Sequence, residues 1–358
     1  MIRSIDATLV LVPMRRPLGT SAARIGEAPL LLIDVRTDAG VTGRAYLFCY
    51  VESAGHAALA LIRDVNDVLA GTPASPAAVR RTLAARFKLI GVRGLVSAVL
   101  AGVDTACWDA LAIAAGLPLA LLLGADLRPL PAYNSNGLGL IEPAAAADEA
   151  QELVAEGFSA IKMRLGRPSA RDDLAAARAV RAAIGPDITL MADYNQALGL
   201  VAAQERCRAL DGEGLCWIEE PVRHDDYSAC AQLADALSTP IQIGENFAGP
   251  RELARALRHG ASDLVMPDLE RIGGVTGWLA AAALADSAGI PLSSHLFPEI
   301  SAHLLAASPT AHWLEYVDWA APVLREPVRV VDGRVTPPNR PGNGMEWNAA
   351  AVARYRVG

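Results

Sequence analysis

The chain has 358 residues, 52% of them hydrophobic and 20% charged, with a formal net charge of −7. That is room for a large core and two domains, and too apolar for a disordered chain. Acids and bases are mixed with no basic block, which excludes a nucleic-acid partner. The five cysteines (Cys49, Cys107, Cys207, Cys216 and Cys230) are scattered with no CxxC, which suits reduced thiols rather than disulfides or a zinc site.

No uninterrupted apolar run is long enough to span a bilayer, so no membrane partner is expected. The start, Met1-Ile-Arg-Ser-Ile-Asp6, lacks the charged-then-apolar pattern of a secretory signal. A cytoplasmic location is the expectation.

Residues 1–125 read as a separate α+β unit. Residues 4–12 and 30–37 are rich in Val, Ile and Leu and predict strands. Asp38-Ala-Gly-Val-Thr-Gly43 is a turn into a third strand at 44–50. Residues 15–26, with Pro17, Gly19 and Gly26, predict a mobile loop. Helical patterns follow, through 96–115. From Leu130 the period changes to strand-then-helix, with strands expected at 130–134, 160–165, 189–193, 216–219, 241–245, 264–268, 292–295 and 313–317. Eight strands with intervening helices make a parallel (β/α) barrel over residues 126–320. The tail, 321–358, carries Pro337-Pro338 and Pro341-Gly342 and is expected to pack back on the N-terminal unit.

Three carboxylates stand 26 residues apart: Asp193 in Ile188-Thr-Leu-Met-Ala-Asp193, Glu219 in Leu215-Cys-Trp-Ile-Glu219 and Glu245 in Ile241-Gln-Ile-Gly-Glu245. One strand, one helix and two loops fill such a period, so the three acids land at one mouth of the barrel, where such folds keep their chemistry. They would repel one another unless a cation neutralised them, and oxygen-only ligands favour a hard ion such as Mg²⁺. The alternative is three unrelated acids capping the helices that follow.

On the second barrel strand, Ala160-Ile-Lys-Met-Arg-Leu165, alternation puts Lys162 and Arg164 on one face, pointing into the mouth. Of the chain's 32 basic side chains only Lys88 and Lys162 are lysines, so a lysine kept here invites a chemical reason. A salt bridge to Asp193 or Glu219 is the plainer explanation. Later strand ends add Asp268, His295 and Glu315. Asp268, one repeat before His295, would orient the imidazole and raise its basicity. Glu315 follows Trp313-Leu314, apolar surroundings that would favour its protonated form and let it donate to an oxyanion. Such a mouth suits removal of a proton from the carbon beside a carboxylate. Gly273-Gly274 lacks the rest of a nucleotide fingerprint and predicts a tight turn.

These stretches resemble the enolase superfamily, and within it the mandelate racemase group. The likeness is carried by Lys162-x-Arg164, Met191-Ala-Asp-Tyr-Asn-Gln196, Trp217-Ile-Glu-Glu-Pro221, Gly244-Glu-Asn246, Met266-Pro-Asp268, Ile272-Gly-Gly-Val-Thr-Gly-Trp278, Ser293-Ser-His-Leu-Phe297 and Ala311-His-Trp-Leu-Glu315. It implies a (β/α)7β-type modified TIM barrel with an N-terminal lid, and one Mg²⁺ per subunit on Asp193, Glu219 and Glu245. It further implies a His295–Asp268 dyad, Lys162 and Glu315 at the substrate carboxylate, and Ser135 and Asn195 as substrate contacts. The implied specificity pocket is Leu18, Ala22, Ile25, Phe48, Tyr50, Leu89, Leu296 and Val317, and the implied assembly is a homo-octamer.

One position departs from the family. Its second strand ends Lys-x-Lys, the second lysine being a base for one enantiomer; here that place is Arg164. A guanidinium, with a pKa above about 12, is a poor base. Either Arg164 exchanges protons slowly, or His295 is the only efficient base. The resemblance implies, first, racemisation of an apolar 2-hydroxy acid, a small-molecule carboxylate, through an enediolate. Second comes an acid-sugar dehydratase working through His295 alone, and third a silent relative that binds metal and carboxylate without turnover. The apolar pocket favours the first.

Overall fold

The computed structural model describes residues 1–357. β1 (Ile2–Gly19), β2 (Arg24–Thr37) and β3 (Thr42–Phe48) form an antiparallel sheet. β2 carries the run Leu30-Leu-Leu-Ile-Asp-Val35 because both of its faces are covered. Leu31, Ile33 and Val35 join the core under the helices Glu52–Leu69, Pro76–Arg86 and Gly94–Ala114, while Leu30 and Leu32 turn to the barrel side.

Residues 15–26 are not a loop. β1 and β2 continue through them as a hairpin, with Leu18 opposite Ile25 and Gly19 opposite Arg24, after an irregularity between Pro13 and Leu18. Pro17 and Gly19 signal a break by local propensity, but cross-strand pairing overrides propensity at an edge and confines the break to that irregularity and the tip.

The barrel runs β4 (Leu130–Asn134), β5 (Ala160–Arg164), β6 (Thr189–Asp193), β7 (Leu215–Glu219), β8 (Ile241–Ile243), β9 (Leu264–Val265) and β10 (Leu314–Tyr316), with β10 parallel to β4. The expected strand at 292–295 is not a regular one. Single bridges join Val265 to Leu292, Asp268 to His295 and Leu292 to Ala311, and Ser294 N–H donates to the Trp313 carbonyl at 2.9 Å. β8 ends at Ile243 because Gly244 takes φ +138°, and a Cβ there would lie 2.9 Å from Met266 N. β11 (Arg334–Val335) lies antiparallel on β4.

The tail returns to the N-terminal sheet. Val357 N–H donates to the Leu9 carbonyl at 3.1 Å and Trp347 Nε1 to Asp34 at 2.8 Å. The helix Gly94–Ala114 is long and apolar enough to cross a bilayer, but 72% of its most apolar window is buried inside the protein. Its Asp104 accepts from Thr276 Oγ1 at 2.6 Å and from Thr276 N at 2.9 Å, pinning the capping unit to the barrel helix Gly274–Ala288. The Gly273-Gly274 turn that starts this helix is tight, with φ +99° and +71°, and a Cβ on Gly274 would strike Asp104 at 2.6 Å.

Candidate active site

Asp193, Glu219 and Glu245 end or follow β6, β7 and β8, and each offers a carboxylate oxygen within 4.8 Å of the other two. Neighbours hold each one. Asp193 accepts from Asn195 N at 2.8 Å and Asn195 Nδ2 at 3.0 Å. Glu219 accepts from Trp217 Nε1 at 3.0 Å, and Glu245 from Asn246 Nδ2 at 3.1 Å. Burial and the Asp193 charge push the Glu219 carboxyl up to about 8, against the pull of Lys162. A cluster this crowded with negative charge is completed by a cation, and its all-oxygen donor set fits a hard divalent ion.

Lys162 and Arg164 share one face of β5, as the alternation predicts, and both line the cavity at the mouth, of about 220 Å³. Lys162 Nζ lies 2.7 Å from Glu219, 2.9 Å from Glu315 and 3.3 Å from Asp193. Burial opposes its charge, but Glu219 and Glu315 outweigh burial and hold the ammonium well above the ordinary lysine range. The contacts of the salt-bridge alternative are thus present, with Glu315 added to Asp193 and Glu219, on a lysine that also lines the cavity.

Arg164 is held differently. Nη1 donates to the carbonyls of Ser135 at 2.7 Å and Gly137 at 2.8 Å, and Nη2 donates to Ser135 Oγ at 3.1 Å. Its Nε is buried with no partner. Carbonyls are acceptors only, so these contacts take up the N–H groups of both terminal nitrogens and fix the orientation of the guanidinium plane.

On the opposite side His295 Nδ1 lies 2.7 Å from Asp268 Oδ2, and Nε2 lies 3.3 Å from Glu245. Asp268 also accepts from the backbone of Glu270 and Arg271, which fixes its rotamer as a helix cap. Burial disfavours the imidazolium, but Glu245, Glu315 and Asp268 raise His295 to about 9. Glu315 is not the neutral acid expected from its apolar flanks. Burial does push it up, yet Lys162, His295 and the Leu296 N–H at 2.8 Å pull it down to about 2.

The hairpin tip supplies Leu18, Thr20, Ala22, Ala23 and Ile25 to the cavity, the bend just past the end of β3 supplies Tyr50, and the barrel supplies Asn195 and Leu296. Four expected contacts fall elsewhere. Val317 packs in the core, and Trp319, two residues on, reaches the cavity instead. Ser135 is fully buried behind the wall, between Arg164 and Glu315. Leu89 is fully exposed on a turn. Phe48 stands behind Tyr50, ring centroids 4.4 Å apart.

Sequence reasoning did not find Gln196, Asn246 or Arg271 as cavity residues. Arg271 donates to Tyr50 OH at 2.9 Å and to Asn246 Oδ1 at 3.0 Å. One available signal was the place of Gln196 and Asn246 directly after Asn195 and Glu245, in the loops at strand ends, whereas Arg271 sits in the short helix Leu269–Ile272 that Asp268 caps. Another signal is visible only in the backbone. Among the described residues eight non-glycines have clearly left-handed φ, and seven of them flank this mouth: Tyr50, Leu138, Asn195, Gln196, Glu220, Leu296 and Phe297. Such conformations cost about 1–3 kcal/mol each and concentrate where function requires them.

A capped, modified (β/α) barrel with these acids at its strand ends defines the enolase superfamily. The chain belongs to its mandelate racemase / muconate lactonizing enzyme family. Residues 4–124 match the N-terminal domain of that family and residues 145–351 the enolase C-terminal domain-like family. It is an enzyme of the isomerase or hydro-lyase kind.

The chain is similar to an enolase from alpha proteobacterium bal199, solved with bound magnesium: 46% identity, TM-score 0.97, 100% of this chain and 99% of that one. It is also similar to an enolase from Bradyrhizobium complexed with magnesium and mandelic acid: 44% identity, TM-score 0.94, 100% of this chain and 98% of that one. L-talarate/galactarate dehydratase of Salmonella typhimurium is 32% identical over 362 residues, covering 98% of this chain and 90% of that protein.

Proposed function

We propose that this chain is a Mg²⁺-dependent enzyme that takes the α-proton of a 2-hydroxycarboxylate with His295 as its only base and expels a β-hydroxyl as water. The observation that carries this reading is the guanidinium of Arg164, whose Nη1 is bound by two backbone carbonyls and whose Nη2 is bound by Ser135 Oγ. A guanidinium is a poor base by its chemistry, and one whose terminal nitrogens are tied to the loop behind it acts as a positioned cation rather than a second base.

Asp193, Glu219 and Glu245 would hold the metal, and a bound Mg²⁺ would neutralise these acids and supply a Lewis acid for the substrate carboxylate. Lys162, fully buried, faces that carboxylate and stabilises the negative charge that grows on it as the proton leaves. Asp268 fixes the imidazole so that Nε2 faces the substrate, and it stabilises the imidazolium once the proton arrives. The protonated His295 then stands on the face where a departing hydroxyl needs a proton, so one residue serves as base and then acid. Arg164 keeps the other wall cationic. Ser135 links Arg164 to Glu315, and Glu315 holds Lys162 in place. Asn195, Gln196, Asn246 and Arg271 offer polar partners to the substrate's hydroxyls.

A second reading is racemisation of an aryl 2-hydroxy acid. The apolar side of the cavity, Leu18, Ala22, Ile25 and Leu296, favours it. So does the similarity to the relative complexed with mandelic acid.

Proton NMR in D₂O with Mg²⁺ separates the two. Each mandelate enantiomer is followed for α-proton exchange, and a panel of aldonic and aldaric acids is screened for 2-keto products. We expect at most one mandelate enantiomer to exchange, without inversion, and a 2-keto product from an acid of the panel. Exchange of both enantiomers with loss of optical purity would overturn the single-base reading in favour of the racemase. Neither exchange nor product would remove both readings.

A further inference from the structure

We propose that Arg164 is a positioning residue that seats the β1–β2 hairpin over the site, through a relay running from β5 to the hairpin neck. The proposal rests on the reading of Arg164 as a fixed cation.

The relay begins with residues 135–139, a fully buried loop after β4. Arg164 ties this loop to β5 at four points: Nη1 to the Ser135 and Gly137 carbonyls, Nη2 to Ser135 Oγ, and its own N–H to the Leu138 carbonyl at 2.9 Å. Leu138 sits at φ +44°, a conformation that persists only where its surroundings hold it. Glu149, on the helix Pro143–Ala155, grips the same loop from behind, accepting from Leu138 N at 3.2 Å.

The other oxygen of Glu149 faces the hairpin. Oε1 lies 3.4 Å from Arg16 Nε, and Arg16 reaches on to Glu152 at 3.0 Å and Glu156 at 2.8 Å. Arg16 is mostly covered, with a side-chain exposure of 14%, and it lies in the irregular stretch between Pro13 and Leu18 where the hairpin bends. Three residues on, the hairpin touches the loop directly: a Cβ on Gly139 would lie 2.8 Å from the Gly19 carbonyl oxygen. The loop is thus a wedge held on one side by Arg164 and pressed on the other by the hairpin neck. Beyond the neck the tip's hydrogen bonds to the barrel are long, Ser21 Oγ to the Tyr194 carbonyl at 3.4 Å and to the Asn195 carbonyl at 3.5 Å. The neck therefore decides where the cavity-lining tip sits.

A lysine at 164 would offer one point of charge where a planar fork now meets two carbonyls and a hydroxyl. It would free the wedge, and with it the tip.

The test is amide hydrogen exchange of the full chain with Mg²⁺, read on the peptide spanning residues 14–28, for Arg164→Lys, Arg16→Gln, Arg16→Lys and the Arg164→Lys/Arg16→Gln pair. We expect each of Arg164→Lys and Arg16→Gln to speed exchange of that peptide by about ten-fold, the scale of a network contact rather than an isolated surface pair. Arg16→Lys should recover part of the loss, and the pair should be no faster than the faster single, because both cut one relay. Mandelate affinity by calorimetry should weaken in step with tip exchange. Multiplying effects in the pair, or unchanged tip exchange in Arg16→Gln, would overturn the proposal. Because Arg16 lies outside the site, this readout stands even where Arg164→Lys folds poorly. It is also independent of which acid the enzyme turns over, so failure of the relay and failure of the single-base reading give different results.

Discussion

Replacing Lys162 with methionine should destabilise the metal-free protein severely and the Mg²⁺-loaded protein much less. Nζ faces three carboxylates at 2.7, 2.9 and 3.3 Å, all essentially inaccessible to solvent. At an effective dielectric of about 20, each contact is worth about 5–6 kcal/mol of direct attraction. Desolvation cancels most of that, and removing one partner of a buried ion cluster costs a net of about 3–5 kcal/mol. In the variant, four acids (Asp193, Glu219, Glu245 and Glu315) face one another with no ammonium among them. A divalent cation then becomes the main counter-charge, so its binding should tighten and its stabilising effect should grow, by RT ln(1 + [Mg²⁺]/Kd). The assay is urea unfolding with EDTA and with excess Mg²⁺. We expect the wild-type-to-variant gap to be about 3–5 kcal/mol in EDTA and to shrink by at least about 1 kcal/mol in Mg²⁺. A gap equal in both buffers would mean that Lys162 and the metal do not share these carboxylates, and the site as described would be wrong.

Other consequences are as direct. Asp268→Asn keeps an oxygen for the Glu270 and Arg271 N–H groups but loses the negative charge beside His295 Nδ1. α-Proton exchange by NMR should fall about 100-fold or more with the melting temperature nearly unchanged, and unchanged exchange would remove His295 as the base. Trp217→Phe strips the Nε1–H from Glu219 Oε2, so Mg²⁺ affinity by calorimetry should weaken about ten-fold; equal affinity would show that this hydrogen bond does not tune the ligand. His303, between Ala120 N–H and the Asn343 carbonyl, is pushed down to about 4 by burial. The unfolded chain binds its proton near pH 6.5, so stability is full above that value and falls as pH drops towards 4, by about 3 kcal/mol. His303→Gln should lower stability at pH 7.5 but flatten this acid slope, and an unflattened slope in urea unfolding would assign the acid loss elsewhere.

The acids were legible in the sequence because barrel repeats convert spacing into position: 26 residues carry Asp193 to Glu219 to Glu245 and back to the same mouth. Alternation likewise put Lys162 and Arg164 on one face. Features set by partners distant in sequence were not legible. Residues 15–26 look like a loop because Pro17 and Gly19 break propensity, while the pairing of Leu18 with Ile25 that overrides it appears only in the folded sheet. The ionisation of Glu315 follows from Lys162, 153 positions earlier in the chain, and not from its apolar neighbours. Residues 292–295 were read as a strand from composition, yet they complete the barrel with scattered bridges. Leu89 was placed by resemblance, and nothing in its own flanks told a cavity wall from an exposed turn.

The mouth is assembled from parts with different tethers. The acids stand at or just past the ends of parallel strands paired edge to edge, a ring completed between β9 and β10 by single bridges through Leu292, and Asp104 rivets the capping unit to the barrel at Thr276. The residues most free to meet the substrate's arm lie together between positions 18 and 25, on one hairpin tip. A lineage with this layout can exchange what it recognises without rebuilding how it reacts. The same tip is therefore a natural graft, since transplanting it between relatives would move taste while leaving the chemistry at home.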